Sequence, residues 1–269
     1  MTRIVNNCVA LVCLCLFWGQ SLRAADASHS EQIKWGNESV FNEEHNTLGL
    51  FSGVLGGQIV LAGGTSDDYS RWGRNAVCLS ENAGFALYED VLSKPLAYGA
   101  SITLSDGILC IGGRDSSQCY EDVFFVTMQQ GKLNVSEDWP PLPFPLSNVA
   151  GALLDNKVYL FGGRKSVSPS RLSDSFFVLD LSNKSRGWKE LPGYPGCVRE
   201  DAILVVQNNG VSPCLYLLGG QTETEEGLSS CLTDGYVYNP QLGKWSSLGS
   251  DFPKGICAAV ASGANHILL

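Results

Sequence analysis

Basic residues are scarce in this chain: 18 Lys and Arg stand against 27 Asp and Glu, a net charge of −9 over 269 residues. A surface built to neutralise phosphates needs the opposite balance, which excludes nucleic acid as a partner and an anionic membrane as a docking surface, though not a local basic pocket. Histidine is nearly missing as well, with only His29, His45 and His266, and no Cys-x-x-Cys pair or Cys/His cluster accompanies them, so no metal and no cofactor is expected. No stretch approaches the ~20 consecutive apolar residues that a membrane-spanning helix requires. Charged residues are only 17% and hydrophobic ones 44%, which excludes disorder as the main state and allows a sizeable core. Glycine is in surplus, 30 of 269, without excess proline or a three-residue period; collagen-like and low-complexity readings therefore fail, and the glycines belong in turns.

Residues 1–25 read as an export signal: Arg3 in a short charged start, an apolar run from Cys8 to Trp18, and small residues at Ala24 and Ala25 for cleavage. Residues 26–269 then form the mature domain, periplasmic or secreted, with no membrane attachment once the signal is removed. A lipidated Cys13 or Cys15 is disfavoured by the bulky Val12 and Leu14 that precede them. Three of the ten cysteines (Cys8, Cys13, Cys15) fall in the signal, and the remaining seven, an odd number spread through apolar segments, imply no disulfide framework. Cys110 and Cys257 occupy positions suited to small buried hydrophobes.

One pattern occurs four times, an apolar run closed by Gly-Gly: Ile59 to Gly64, Ile108 to Gly113, Val158 to Gly163 and Leu215 to Gly220, the second glycines 49, 50 and 57 residues apart. A short apolar segment precedes each run, and an aspartate opens a further strand after it in three units, at Asp122, Asp174 and Asp234. A tryptophan follows the second glycine by 25 or 26 residues, at Trp139, Trp188 and Trp245; the first unit has Glu89 there, which leaves its outer strand in doubt. Each unit is thus a four-stranded antiparallel meander, and a period near 50 with these marks is that of a kelch-type β-propeller, an all-β fold. Glycine is expected where innermost strands crowd a central channel, and Trp where the blades diverge.

Four blades are recognisable, with a partial fifth at Ile256–Ala261 and His266–Leu269. Trp35 looks like an outer strand whose inner strands come from the other end of the chain, the usual closure of a propeller ring. The expectation is a six-bladed ring in the complete protein, with on the order of 100 residues beyond Leu269 at the observed period.

In a meander, the start of the first strand and the end of the second lie at one edge, so the residues beside them share the face at the channel mouth. The candidates are Arg199 and Glu200 before an inner strand, and Thr65, Arg114, Arg164 and Gln221 directly after the four glycine pairs. Arginines aimed at one mouth in an acidic chain suit a carboxylate, which the guanidinium grips with a two-pronged fork; each could equally pair with an acid of the neighbouring blade. A copper radical oxidase on such a propeller needs two His and two Tyr ligands, and two of the three histidines lie in the N-terminal segment.

The order of segments resembles, in cyclically permuted form, the sialic acid mutarotases (N-acetylneuraminate epimerases). The export signal is followed by Gly49-Leu50-Phe51-Ser52-Gly53 leading to Leu61-Ala62-Gly63-Gly64, then Ala97-Tyr98-Gly99 leading to Cys110-Ile111-Gly112-Gly113. The stretch Tyr194-Pro195-Gly196-Cys197-Val198-Arg199-Glu200-Asp201 is similar to a Pro-Gly-Gly-Pro-Arg-Asp run near the start of the unpermuted enzymes. The resemblance implies an exported enzyme that interconverts the anomers of N-acetylneuraminate by acid/base ring opening, with an acidic sugar as partner and a monomer or weak dimer as its state. Substrate contacts are expected at Arg199, Glu200, Arg114 and Arg164. The family's acid/base Glu, in a Gly-Glu with Arg six residues on, has no counterpart here; it maps beyond Leu269, and the catalytic residues are unassigned. Leu96 stands where the family shows Arg, which reads as a lost channel contact. The alternative is a non-catalytic propeller that binds glycans or a protein.

Overall fold

The structure, a computed structural model, describes residues 48–80, 84–224, 226–252, 260–262 and 266–268. The expected export signal, the strand around Trp35 and Cys257 lie outside these residues. Four four-stranded antiparallel sheets follow one another along the chain, each paired in sequence order. Blade 1 comprises Phe51–Leu55, Gln58–Ala62, Ala76–Ser80 and Gly84–Tyr88, and blade 2 comprises Ala100–Thr103, Ile108–Ile111, Val123–Gln129 and Lys132–Ser136. Blade 3 comprises Ala150–Leu154, Lys157–Phe161, Phe176–Asp180 and Lys189–Glu190, and blade 4 comprises Ile203–Asn208, Pro213–Leu218, Gly235–Asn239 and Lys244–Gly249. Each innermost strand lies against the next, which is the β-propeller arrangement, and a hairpin of Val260–Ser262 and His266–Leu268 sits beside the innermost strand of blade 4, where a fifth sheet is expected to begin.

The unbroken apolar runs in the second strands follow from burial on both faces. Ile108, Leu109, Cys110 and Ile111 are all buried, as are Val158 through Phe161, because a neighbouring blade covers each side. The core is therefore a set of seams. Phe51, Val60 and Cys78 meet Ile108, Phe124 and Val126 between blades 1 and 2. Leu109 and Phe125 meet Val158, Leu160 and Phe177 between blades 2 and 3. Phe161 and Phe176 meet Leu215, Leu217 and Tyr238 between blades 3 and 4. The outer tryptophans join these seams: Trp245 packs 5.0 Å from the Phe176 ring and Trp188 donates its indole hydrogen to Pro140 O at 3.0 Å. Blade 1 has its fourth strand despite Glu89, and Tyr88 takes the tethering role, donating its hydroxyl to Gly131 O of blade 2 at 3.1 Å.

The glycine pairs mark a seam contact rather than the channel crowding expected of them. The second glycine's N–H donates to the segment leading into the next blade: Gly64 to Leu96 O at 2.9 Å, Gly113 to Leu146 O at 2.8 Å, Gly163 to Arg199 O at 2.8 Å. The glycine before it has positive φ (73° at Gly63, 64° at Gly112, 68° at Gly162), and a Cβ there would collide with that same carbonyl oxygen. Only glycine meets both demands.

Candidate functional site

Where each first strand begins, the backbone makes the same turn. Leu48, Ala97, Ser147 and Glu200 bridge to Thr65, Arg114, Arg164 and Gln221, the residues after the four glycine pairs. The next residue in every blade is left-handed: Gly49 (φ 64°), Tyr98 (61°), Asn148 (54°) and Asp201 (52°). These four are joined from blade to blade, since Tyr98 N–H donates to Gly49 O at 2.7 Å, Asn148 N–H to Tyr98 O at 2.6 Å, and Asp201 N–H to Asn148 O at 3.0 Å. Asn and Asp tolerate this conformation, whereas a tyrosine in it is uncommon. The Tyr98 ring lies over Gly49, where a Cβ would sit 2.8 Å from it.

The three arginines differ sharply. Arg199, expected at the mouth, is wholly buried and its donors are engaged. Nη1 and Nη2 reach Asp234 at 2.7 and 2.8 Å, Nη1 also reaches Gly219 O at 2.8 Å, and Nε donates to the Tyr194 hydroxyl at 2.8 Å. Burial disfavours the charge on Asp234, but Arg199 and the Tyr236 hydroxyl outweigh it and hold the carboxyl below its ordinary range. The expected substrate contact at Arg199 is corrected accordingly: this arginine holds blade 4 together. The repeat explains why. By the carbonyl each offers to a glycine pair, Leu96, Leu146 and Arg199 are the same position, and Leu96 and Leu146 are buried too. Leu96 therefore marks no lost channel contact.

Arg164 and Glu200 do stand at the rim, but on each other. Arg164 Nε donates to Glu200 Oε2 at 2.8 Å, Nη2 to Glu200 Oε1 and, at 3.2 Å, to Glu223 Oε1, and Nη1 to Ser170 Oγ at 2.6 Å. Ser170 and Glu223 come from the polar loops after the glycine pairs of blades 3 and 4, and the Ser170 hydroxyl also donates to Glu223. The expected ligand contacts at these two residues are met in the structure by a two-pronged internal ion pair.

Arg114 is different. Its guanidinium carbon lies 4.7 Å from the Tyr98 ring centre, 5.1 Å from Trp72 and 5.9 Å from Tyr69. Its side chain makes one hydrogen bond among the described residues, a long one of 3.4 Å from Nη1 to Asp115 O, and its Nε is buried without a partner. Asp115 does not neutralise it by contact. Burial opposes that carboxylate, but bonds from Tyr120, Ser117 and Gln118 prevail and hold it down at about 2, in a local turn. Tyr69 and Tyr98 stack at 6.4 Å, with the Tyr98 hydroxyl donating to that of Tyr69 at 3.4 Å. Burial, reinforced by Tyr69, keeps the Tyr98 phenol protonated far above its usual range.

Asp201 completes the site. It is exposed to solvent, yet enough protein surrounds it that burial raises its carboxyl above the ordinary value; Glu200 adds to the rise, while Asn148, Arg164 and Arg114 oppose it. Its Oδ1 accepts from Asn148 Nδ2 at 2.9 Å. Tyr98, Asn148, Asp201 and the pair Tyr69 and Trp72 were not among the candidate site residues expected from sequence; aligning the repeats at the residue after Ala97, Ser147 and Glu200 would have found the first three. Among the described residues no cluster of three or more His, Cys, Asp or Glu is placed to hold a metal ion.

Residues 139–269 match the sequence profile of a family described as N-acetylneuraminate epimerase. An N-acetylneuraminate epimerase of Yersinia pestis (strain Pestoides F) is 30% identical over 139 residues, 50% of this chain and 33% of that protein. One from Haemophilus influenzae (strain PittEE) is 31% identical over 131 residues, 49% and 32% of the two chains. A kelch domain-containing protein of Vibrio cholerae is 31% identical over 121 residues, 45% and 31%. The chain thus spans about a third of the length of the curated relatives it matches. The matched segment holds Asn148, Arg164, Glu200 and Asp201, while Arg114 and its aromatic collar lie before it. Over residues 139–269, which include its third and fourth blades, this chain is similar to the N-acetylneuraminate epimerase family.

Proposed function

We propose that the axial mouth binds an acidic sugar and that the protein, exported by its N-terminal segment, interconverts the anomers of N-acetylneuraminate. The observation that carries this reading is Arg114: of the three arginines at or near the mouth, it alone is paired with no acid among the described residues, and its buried Nε has no hydrogen-bond partner among them. Such a donor is a standing penalty unless a ligand satisfies it, and a carboxylate does so with two parallel bonds. The rings of Tyr69, Trp72 and Tyr98 supply flat apolar faces for the C–H side of a sugar and exclude water from the fork. The similarity over residues 139–269 supports the choice of sugar and reaction.

The test is proton NMR of N-acetylneuraminate freshly released by a sialidase, with and without the full chain. Faster equilibration of the anomers is the expected result, and a rate no different from buffer at high protein concentration ends the mutarotase reading, leaving a sugar-binding propeller if the sugar still binds by calorimetry. Arg114→Ala should weaken sugar binding about 10-fold to 100-fold, the loss of a charge-assisted hydrogen-bond pair.

A further inference from the structure

We propose that Tyr98, braced by Tyr69, is a positioning residue for the Arg114 fork: the two rings hold the guanidinium where a sugar carboxylate meets it, and the backbone carries strain to put them there. This rests on the reading of Arg114 above and deepens it. Among the described residues, eight other than glycine have a left-handed backbone; five are Asn or Asp, one is Gln, and the remaining two are Tyr69 (φ 58°) and Tyr98 (φ 61°). A bulky side chain rarely adopts this conformation, and it persists only where the surrounding structure over-determines it. The two tyrosines belong to different blades, yet their rings stack at 6.4 Å and the Tyr98 hydroxyl donates to that of Tyr69 at 3.4 Å. Both lie against one cation, with ring centres 4.7 Å (Tyr98) and 5.9 Å (Tyr69) from the Arg114 guanidinium carbon. Two separate backbone outliers that converge on the same guanidinium point to a function for the strain.

The surroundings of each tyrosine are built to keep it there. At the Tyr98 station the other blades place Gly49, Asn148 and Asp201, which accept the turn without a ring. Gly49 makes room for the Tyr98 ring, since a Cβ there would stand 2.8 Å from it. The Tyr69 turn is closed by its own loop: Tyr69 N–H donates to Ser66 O at 2.9 Å, Arg71 N–H to Ser66 Oγ at 3.0 Å, and Ser70 N–H to Asp68 Oδ1 at 3.0 Å. Trp72 completes the set, donating its indole hydrogen to Tyr69 O at 3.1 Å. The three ring centres stand 6.3 to 6.4 Å from one another and the guanidinium carbon 4.7 to 5.9 Å from each, so the cation caps a triangle of rings.

No acid among the described residues orients Arg114, so these rings do. An arginine side chain has much rotamer freedom to lose when a ligand fixes it, and a guanidinium already held against aromatic faces loses less. The expected effect of the rings is therefore on binding, and it passes through Arg114.

The test is a double-variant cycle on the affinity for N-acetylneuraminate, read by NMR titration of the sugar with the full chain. Tyr98→Asn keeps the turn, as Asn148 does in blade 3, but removes the ring; it should weaken binding about 3-fold to 30-fold, the range of a cation–π contact. Tyr98→Phe, which keeps the ring, should recover most of that loss. In the Arg114→Ala background, Tyr98→Asn should lose less than it does beside the intact guanidinium, because the ring acts through that group. Unchanged affinity in Tyr98→Asn, or a loss of equal size in both backgrounds, overturns the positioning role and leaves the reading of Arg114 standing. If Tyr98→Asn does not fold, Tyr69→Gly runs the same cycle with the same two outcomes: Tyr69 is 49% exposed and glycine suits its left-handed backbone. A wild-type chain that does not bind the sugar ends both.

Discussion

Arg199 and Arg114 are the same residue type with opposite physical situations. Arg199 is enclosed at a position where other blades place leucine, and its charge is tolerable only because Asp234, Tyr194 and a carbonyl satisfy it. Replacing it with Leu should destabilise the protein by about 3–5 kcal/mol, since the aspartate is left without its cation. The double variant Arg199→Leu/Asp234→Asn should recover part of the loss in urea melts. Asp234 has a depressed carboxyl, so its contribution is complete above the range of an unfolded carboxylate and is lost as pH falls through the lower folded value. The gap between wild type and Arg199→Leu should accordingly narrow in strong acid and be full at neutral pH. The sequence context Cys197-Val198-Arg199-Glu200-Asp201 shows an arginine next to two acids, and nothing local says which of the three faces the mouth. Two of them do not serve as expected, because the alternation of the backbone at a turn puts Arg199 in the seam, Glu200 on Arg164 and Asp201 in the open.

At the scale of strands, far more was legible. The apolar runs, the glycine pairs and the aspartates that open third strands predict sheets that the structure contains, because burial on both faces demands those compositions. What the runs do not reveal is that the glycines serve the next blade as well as their own. Gly162→Ala should be severely destabilising, about 2 kcal/mol or more, because it combines a left-handed φ with a Cβ only 2.6 Å from Arg199 O. Gly131→Ala has a comparable φ of 72° but nothing within 4 Å, and should lose only about 1 kcal/mol. Chemical denaturation of the two variants side by side measures the difference. The outer strand of blade 1 was the least readable element, since Tyr88 performs from the strand itself the tethering that Trp188 performs elsewhere.

For the whole molecule, stability is shared among seams, and each seam is closed at the mouth by one backbone hydrogen bond between left-handed residues. Amide exchange should report this: the Tyr98, Asn148 and Asp201 amides are expected to be protected to nearly the same degree and to be released together. Amides of the exposed outer strand Gly84–Tyr88 should exchange earlier. Staggered release of the three mouth amides would show that the blades open singly. This row of linked turns was invisible to a reading based on hydrophobic period, because a turn of four different residues, Gly, Tyr, Asn and Asp, leaves no apolar signature.

That turn has an evolutionary consequence. Because the backbone path at Tyr98, Asn148 and Asp201 is held by main-chain bonds, the side chain at each of these stations is exchangeable without rebuilding the scaffold around it. A descendant of this molecule could acquire a new substrate through one codon change per station, the inventory of turn-tolerant residues setting the only restriction on its repertoire.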